Sequence, residues 1–264
     1  CYSILIIYYW QSWTSIPDFT ASSEVNSVSV SIIVPARNEE RNIGLLLEAL
    51  QKQSYPKEFF QIIVVDDHST DSTGEIVKGY PGVTLLKLED DAINSYKKKA
   101  IEKGIAAARG DLIITTDADC MPPSTWLQTL VSFKQQTNAA FIVAPVVFDC
   151  NAEIVQVFQA MDFMVLQGIT GASVYKNVHS MCNGANLAYE RKLFYEVNGF
   201  TGIDHIASGD DMLLMHKIAK EHPGRIQYLK STDALVSTKP MESWSSFFNQ
   251  RIRWASKAMH YDDK

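Results

Sequence analysis

The chain has 264 residues, of which 46% are hydrophobic and 20% charged, with a net charge of −6. That length supports one large α/β domain with a substantial core. The acidic balance excludes a general polyanion binder, whose footprint is basic, so no nucleic-acid partner is expected. Cys1, Cys120, Cys150 and Cys182 form no C-x-x-C pair and have no metal-type spacing, and they read as buried small hydrophobes in a reducing compartment.

In chain order, the first feature is the apolar run from Ile4 to Trp10. It is far shorter than the roughly 20 residues that span a bilayer, and its aromatic end suits a membrane interface. It reads either as a buried strand or helix or as the tail of a truncated transmembrane helix, with Ser-rich residues 11–27 as a linker. Residues 28–34 form a buried strand ended by Pro35. Ile43, Leu46, Leu47 and Leu50 then repeat as one face of a helix, with Glu39 and Glu40 in its first turn, where the dipole favours carboxylates. Residues 62–65 form a second strand ended by Asp66 and Asp67. A helix from about Asp71 has a capping box in Ser72 and Glu75. A strand over Val83–Lys87 precedes a helix with Ala100, Ile101, Gly104, Ile105 and Ala108 on one face. A fourth strand, Leu112–Thr115, leads to Asp117 and Asp119. This alternation predicts a mostly parallel sheet covered on both sides, with ligands beyond the carboxyl ends of its strands.

Further along, 139–147 reads as a strand and 151–166 as a helix with Ile154, Phe158, Met161 and Val165 on one face. Residues 168–171 read as a loop, and 191–197 and 211–221 as helices. A last helix over 244–260 places Gln250, Arg253 and Trp254 on one face, while Phe248, Ile252, Ala255 and Met259 face the domain.

The acidic stations carry the chemistry. Asp117 and Asp119 suit a hard cation such as Mg²⁺ or Mn²⁺, which takes one or two carboxylates and completes its shell with substrate phosphates. A turn or cap is the plain alternative. Asp67 suits the N–H and O–H groups of a base or ribose, with Pro35, Ala36, Arg37 and Glu39 beside it. Lys97, in the run Lys97 to Lys99, either reaches a phosphate or belongs to a solvated helix start. Asp210 and Asp211 either favour a helix start or supply a general base for an acceptor hydroxyl. Arg253 suits a bidentate contact to a diphosphate, Gln250 adds an amide, and Trp254 offers a wall for a sugar. The six histidines show no ligand spacing and read as ordinary polar residues.

Taken together, Val34 to Glu40, Val65 to Asp71, the lysines before Ala100, Asp117-Ala118-Asp119, Gly209-Asp210-Asp211 and Gln250-x-x-Arg253-Trp254 resemble family-2 inverting glycosyltransferases of the GT-A fold. The resemblance spans Val28 to Trp254. It implies a nucleotide-sugar-binding half over 28–150 and an acceptor and catalytic-base half over 151–264. Asp67 would hold the base, Asp117 and Asp119 the diphosphate and its divalent cation, and Asp211 would be the base, with Asp210 its acidic neighbour. The late motif matches membrane-embedded polysaccharide synthases and lipid-directed relatives such as ceramide glucosyltransferases. These imply a glycan or lipid acceptor, and a cytoplasmic catalytic domain attached to a membrane through segments outside this chain. The family's Gly before the first lysine and Asn before the helix glycine are here Tyr96 and Glu102, which leaves the donor sugar open. A nucleotidyltransferase would need a Gly-rich triphosphate loop that residues 35–39 lack. A non-catalytic nucleotide-sugar-binding domain would not need all three stations.

Overall fold

Strands whose side chains are apolar on both faces are stable only inside a sheet covered from two sides. In the computed structural model, which describes residues 2–22, 27–89, 96–179, 181–206 and 209–255, the first, second and fourth strands have that position, while the third lies at the sheet's edge and is half-buried. These four are β1 (Val30–Ala36), β2 (Phe60–Asp66), β3 (Val83–Lys87) and β4 (Leu112–Thr115). The chain continues through β5 (Phe141–Val143), β6 (Val146–Phe148), β7 (Leu187–Glu190), β8 (Ile226–Tyr228) and β9 (Val236–Thr238). The main sheet has the order β3-β2-β1-β4-β7-β5-β8, with β7 antiparallel to both neighbours, and β6 and β9 form a separate parallel ribbon.

The helices are α1 (Tyr2–Ser15), α2 (Ile43–Gln51), α3 (Thr73–Lys78), α4 (Tyr96–Ala107), α5 (Trp126–Gln136), α6 (Ile154–Tyr175), α7 (Arg191–Glu196), α8 (Asp210–Glu221) and α9 (Trp244–Ala255). Alternation along β1 divides the core. Ile32 and Val34 pack with Leu46 and Leu47 of α2 and Leu130 of α5, whereas Ile33 packs with Ile101 and Ile105 of α4 and Leu214 of α8. Full burial of each such side chain contributes roughly 1.5–3 kcal/mol. Gly104 sets how close α4 comes to β1, since a Cβ there would lie 2.5 Å from Ile33 Cγ2. Asn186 joins three segments at the sheet's edge. It accepts the Trp126 indole N–H at 2.9 Å and donates to the carbonyls of Pro145 and Ala234 at 2.8 Å each.

Several sequence expectations need correction. Pro35 does not end β1 but pairs in register with Val65. Thr116 N–H donates to Ile33 O and Asp67 N–H to Ala36 O, so by alternation the Pro35 nitrogen faces the side on which β4 has already stopped. No ladder bond is lost there. Glu39 and Glu40 precede α2 rather than occupying its first turn. The Ser72/Glu75 capping box does not form; Asp71 instead accepts from Thr73 N–H and hydroxyl, and Glu40 accepts the Ser72 N–H.

The single strand expected over 139–147 is two, split by Pro145 into different sheets. Residues 168–171 continue α6, where Gly171 lets Trp13 and Tyr228 close in: a Cβ would meet them at 2.7 and 3.0 Å. The presumed linker from residue 11 is helical to Ser15, and the preceding apolar run is an exposed helix, not a buried element. Ile154, Phe158, Met161 and Val165 are also exposed, as are Phe248 and Ile252. Met259 and the end of the expected last helix lie outside the described residues, as do Cys1 and His260. Of the described cysteines, only Cys120 is buried. Among the described residues no helix is long and apolar enough to cross a membrane.

Candidate active site

β1 and β2 end side by side, and the residues that follow them are tied together. Asn38 and His68 take left-handed backbone angles, φ 55° and 54°, which fold both loops back over the sheet edge. Asn38 Oδ1 accepts the Thr70 N–H at 2.8 Å, and Asn38 N–H donates to Ser69 Oγ at 3.0 Å. Asp66 belongs to this turn, accepting the Ser69 N–H at 3.0 Å. Asp67 faces other partners: Arg37 Nη1 lies 3.6 Å from its Oδ2 and His68 Nδ1 lies 2.8 Å from its Oδ1. Arg37 and His68 both pack on the Tyr96 ring, at 5.5 and 5.8 Å. Asp67, Arg37, His68 and Tyr96 thus combine polar groups with an aromatic surface, the chemistry that suits a nucleotide base.

Lys97, in the first turn of α4, connects the next two stations. Its Nζ donates to Asp117 Oδ1 at 2.6 Å and lies 3.8 Å from Asp210 Oδ2. Burial alone would lower its pKa, but Asp117 and Asp210 outweigh that and raise it, so Lys97 stays charged. Lys98, expected on a solvated face, is buried and donates to Ile206 O. Asp210 and Asp211 open α8 after Gly209, whose φ of 78° favours glycine. Asp211 Oδ2 accepts the Gly184 N–H at 2.9 Å and Oδ1 the Met212 N–H at 2.8 Å. Gly184 is itself held by Thr115, whose hydroxyl donates to its carbonyl at 3.1 Å. The Asp211 carboxylate is therefore fixed in orientation by two backbone amides.

Asp119 lies in a loop fastened to β9 by paired backbone bonds between Met121 and Ser237. Its Oδ2 accepts from Thr238 Oγ1 at 3.3 Å. Burial, reinforced by Asp117, holds the Asp119 pKa above the usual carboxylate range. Burial also raises that of Glu39, against a hydrogen bond from Asn42 and with help from Asp119 and Asp117. Glu39, Asp117 and Asp119 thus act in one negative field. Asn42, Asp149 and Lys239 join Asp119 around a cavity of about 40 Å³. Among the described residues no cluster of three or more His, Cys, Asp or Glu is arranged to hold a metal by itself. The fit is to a hard cation that takes a carboxylate or two from Asp119 and Asp117 and the rest of its shell from substrate oxygens and water.

The last helix is turned differently from expectation. Phe247 is buried, and Gln250, Arg251 and Trp254 are partly so, while Arg253 is exposed. Arg251 pairs with Asp162 of α6 and lies 4.2 Å from the Trp254 ring centroid, and Trp254 packs on Phe163 at 6.1 Å. The inward row is 247, 250, 251 and 254, so Gln250 and Trp254 share it with Arg251 rather than Arg253.

Sequence reasoning missed His68, Gly184 and Thr238 as parts of this site. His68 had a signal in its adjacency to Asp67. Gly184 acts through its backbone and Thr238 is 119 positions from its partner, so neither is visible in a linear motif. A cavity of about 710 Å³ lies at the opposite, amino-terminal edge of the sheet, between Asp111, Lys134, Glu190 and Lys192. Its most buried carboxylate is already paired: Lys134, Arg225 and Lys192 lie 2.7, 3.2 and 3.4 Å from Glu190. The site is placed at the carboxyl edge for that reason, despite the smaller cavity there.

Comparison with known proteins identifies the family and the fold. The model of Glycosyl transferase family 2 matches residues 31–197, more than half of the chain. A curated relative, "Probable glycosyltransferase YdaM" of Bacillus subtilis, is 27% identical over 233 residues, covering 86% of this chain and 54% of its own length. The chain thus spans about half of that relative. Among solved structures, mannosyltransferase PcManGT from Pyrobaculum calidifontis, in complex with GDP-Man and Mn²⁺, superposes with a TM-score of 0.73 at 21% identity, covering 99% of this chain and 73% of that one. S. aureus TarS 1–349 in complex with UDP-GlcNAc gives 0.61 at 20% identity, covering 81% and 59%. The α/β architecture is that of GT-A glycosyltransferases, and the matched family model makes this chain a member of glycosyl transferase family 2.

Proposed function

We propose that this chain is the catalytic part of a glycosyltransferase that moves a sugar, with inversion, from a UDP-linked donor to a hydroxyl of a glycan or lipid acceptor. The observation that carries this reading is the Lys97 bridge, which brings Asp117 and Asp210 together although they are 93 positions apart. The donor half is 28–150 and the acceptor half 151–264. Asp67, with Pro35, Ala36, Arg37 and Glu39, receives the base and ribose. Asp119 and Asp117 hold a divalent cation, Mg²⁺ or Mn²⁺, which when bound supplies Lewis-acid neutralisation of the departing diphosphate. The neighbours in complex with GDP-Man and Mn²⁺ and with UDP-GlcNAc support donors of this class.

Asp211, held by the Gly184 and Met212 amides, takes the proton of the acceptor hydroxyl as that oxygen attacks the sugar carbon opposite the diphosphate. Charged Lys97 bridges Asp117 and Asp210 beside it. Gln250, Arg253 and Trp254 complete the diphosphate and acceptor side, Arg253 from its exposed position. The whole protein is read as membrane-associated, with this domain cytoplasmic. Titration with UDP, GDP and a nucleoside triphosphate, with and without Mn²⁺, tests the donor reading. Metal-dependent binding of a diphosphate is expected; preference for the triphosphate would point to nucleotidyl transfer instead.

A further inference from the structure

Soluble surfaces seldom carry a contiguous apolar patch larger than a few hundred Å². Here α6 and α9 expose one. Ile154, Met161 and Val165 of α6 are 82%, 62% and 62% exposed, and Phe248 and Ile252 of α9 are 57% and 66% exposed. The two rows are continuous, because exposed Phe158 packs on Trp244 at 5.3 Å and Trp244 stacks on Phe248 at 6.2 Å. α1 packs against α6 as well, with Trp13 seated over Gly171 and Tyr228 and its ring under the Lys230 ammonium.

Two observations identify what covers these helices. First, residues 4–8 of α1 are all exposed and all apolar. Five consecutive positions exceed one helical turn, so the helix is apolar around its whole circumference. A folded partner shelters one side of a helix; acyl chains shelter all of them. Second, the charges complement a bilayer rather than a protein groove. α1 has no charged residue, and the one acid of α6, Asp162, is turned to Arg251. Lys176 is exposed just after α6, as suits anionic headgroups, and Glu153 is exposed just before it. Within their bounds the three helices carry two arginines and one aspartate, a net of +1 in a chain of net charge −6.

We propose that the α1–α6–α9 face docks on a lipid bilayer, with residues 4–8 of α1 among the acyl chains and the apolar rows of α6 and α9 at the boundary with the headgroups. The inference rests on the membrane reading above and locates the contact within this chain rather than in segments outside it. In sedimentation with phosphatidylcholine vesicles, with and without phosphatidylglycerol, the chain is expected to bind, more strongly to the anionic vesicles. The triple variant Ile6→Glu, Met161→Glu, Ile252→Glu is expected to partition at least about tenfold less, each carboxylate opposing burial in the acyl boundary. Its UDP or GDP affinity should stay at the parent level, which also reports that it is folded.

Equal partition of parent and variant would overturn this face while leaving the membrane reading intact. No vesicle binding by the parent would end both for this chain. Self-association of the parent without lipid, abolished in the variant, would make the face a contact between copies and overturn the proposal. Loss of metal-dependent nucleotide binding in the parent would count against the transferase reading alone.

Discussion

The two edges of the main sheet carry charge clusters of inverse design. At the amino edge Glu190 has three cations around it, Lys134, Arg225 and Lys192, and Asp111 and Glu196 line the same cavity. At the carboxyl edge Lys97 lies among Asp117, Asp210 and Asp211, with Asp119 and Glu39 in the same field. The first arrangement is directed at a carboxylate the protein already owns. The second leaves acidic groups in excess, with two pKa values raised by burial and mutual repulsion, and such a field is lowered in energy by an added cation. The larger cavity lies at the edge whose buried carboxylate already has its partners, so volume is the poorer guide to chemistry here.

The comparison breaks first at Asp211. Asp211→Asn keeps the shape and can still accept the Gly184 N–H, but it cannot take a proton. Turnover should fall by about 10²–10⁴-fold, with donor affinity and melting temperature near those of the parent. Normal turnover would move the base elsewhere. Asp119→Asn should act on binding: metal-dependent diphosphate affinity should drop by about 100-fold, the upper end of effects seen for groups around a metal. Calorimetric titration with and without Mn²⁺ reads this directly, and an unchanged metal dependence would exclude Asp119 as a ligand.

The donor half was the more legible half, for a physical reason. β1 to β4 and α2 to α4 are local elements whose apolar spacing reports burial directly, and the acidic stations follow from strands that end together. Legibility fell where tertiary contact overrode pattern. The apolar row of α9 does not face the core, so periodicity named that helix correctly and its orientation wrongly. Residues 168–171 read as a loop because nothing local shows that Trp13 and Tyr228 fill the space a side chain at Gly171 would take. The Ser72/Glu75 pair has the spacing of a capping box, but Asp71 and Glu40 reach the helix start instead. Within the site, Asp67, Asp117 and Asp211 lie in recognisable motifs, whereas Thr238 and Gly184 are supplied by distant loops.

Glu190 sharpens the other side of the comparison. Burial alone would raise its pKa, but the bond and charge of Lys134, with Arg225 and Lys192, hold it below the usual carboxylate range. A carboxyl whose folded pKa is depressed adds stability above its unfolded pKa, and that stability is lost as pH falls through the folded value. Glu190→Gln should therefore destabilise the fold by about 1–3 kcal/mol near neutral pH. The gap between parent and variant should close below the ordinary carboxylate range. Denaturant unfolding at several pH values checks this, and a gap that widens in acid would contradict it. Turnover should be untouched, because the group lies at the edge away from the site.

The smallest effects separate two arginines two residues apart. Arg251 pairs with Asp162 and packs on Phe247 and Trp254, so Arg251→Ala should cost about 1–3 kcal/mol of stability through the lost bond to a charged group and leave diphosphate affinity nearly unchanged. Arg253 is exposed at the end of α9, so Arg253→Ala should leave stability within about 0.5 kcal/mol. It should weaken diphosphate binding by about tenfold, the scale of one charge-assisted contact. If the two variants exchange these behaviours, the inward row of α9 reaches the diphosphate through Arg251. The unbalanced carboxyl edge would then draw its second cation from a residue paired with Asp162, and the distinction between paired and waiting charges would fail at that helix.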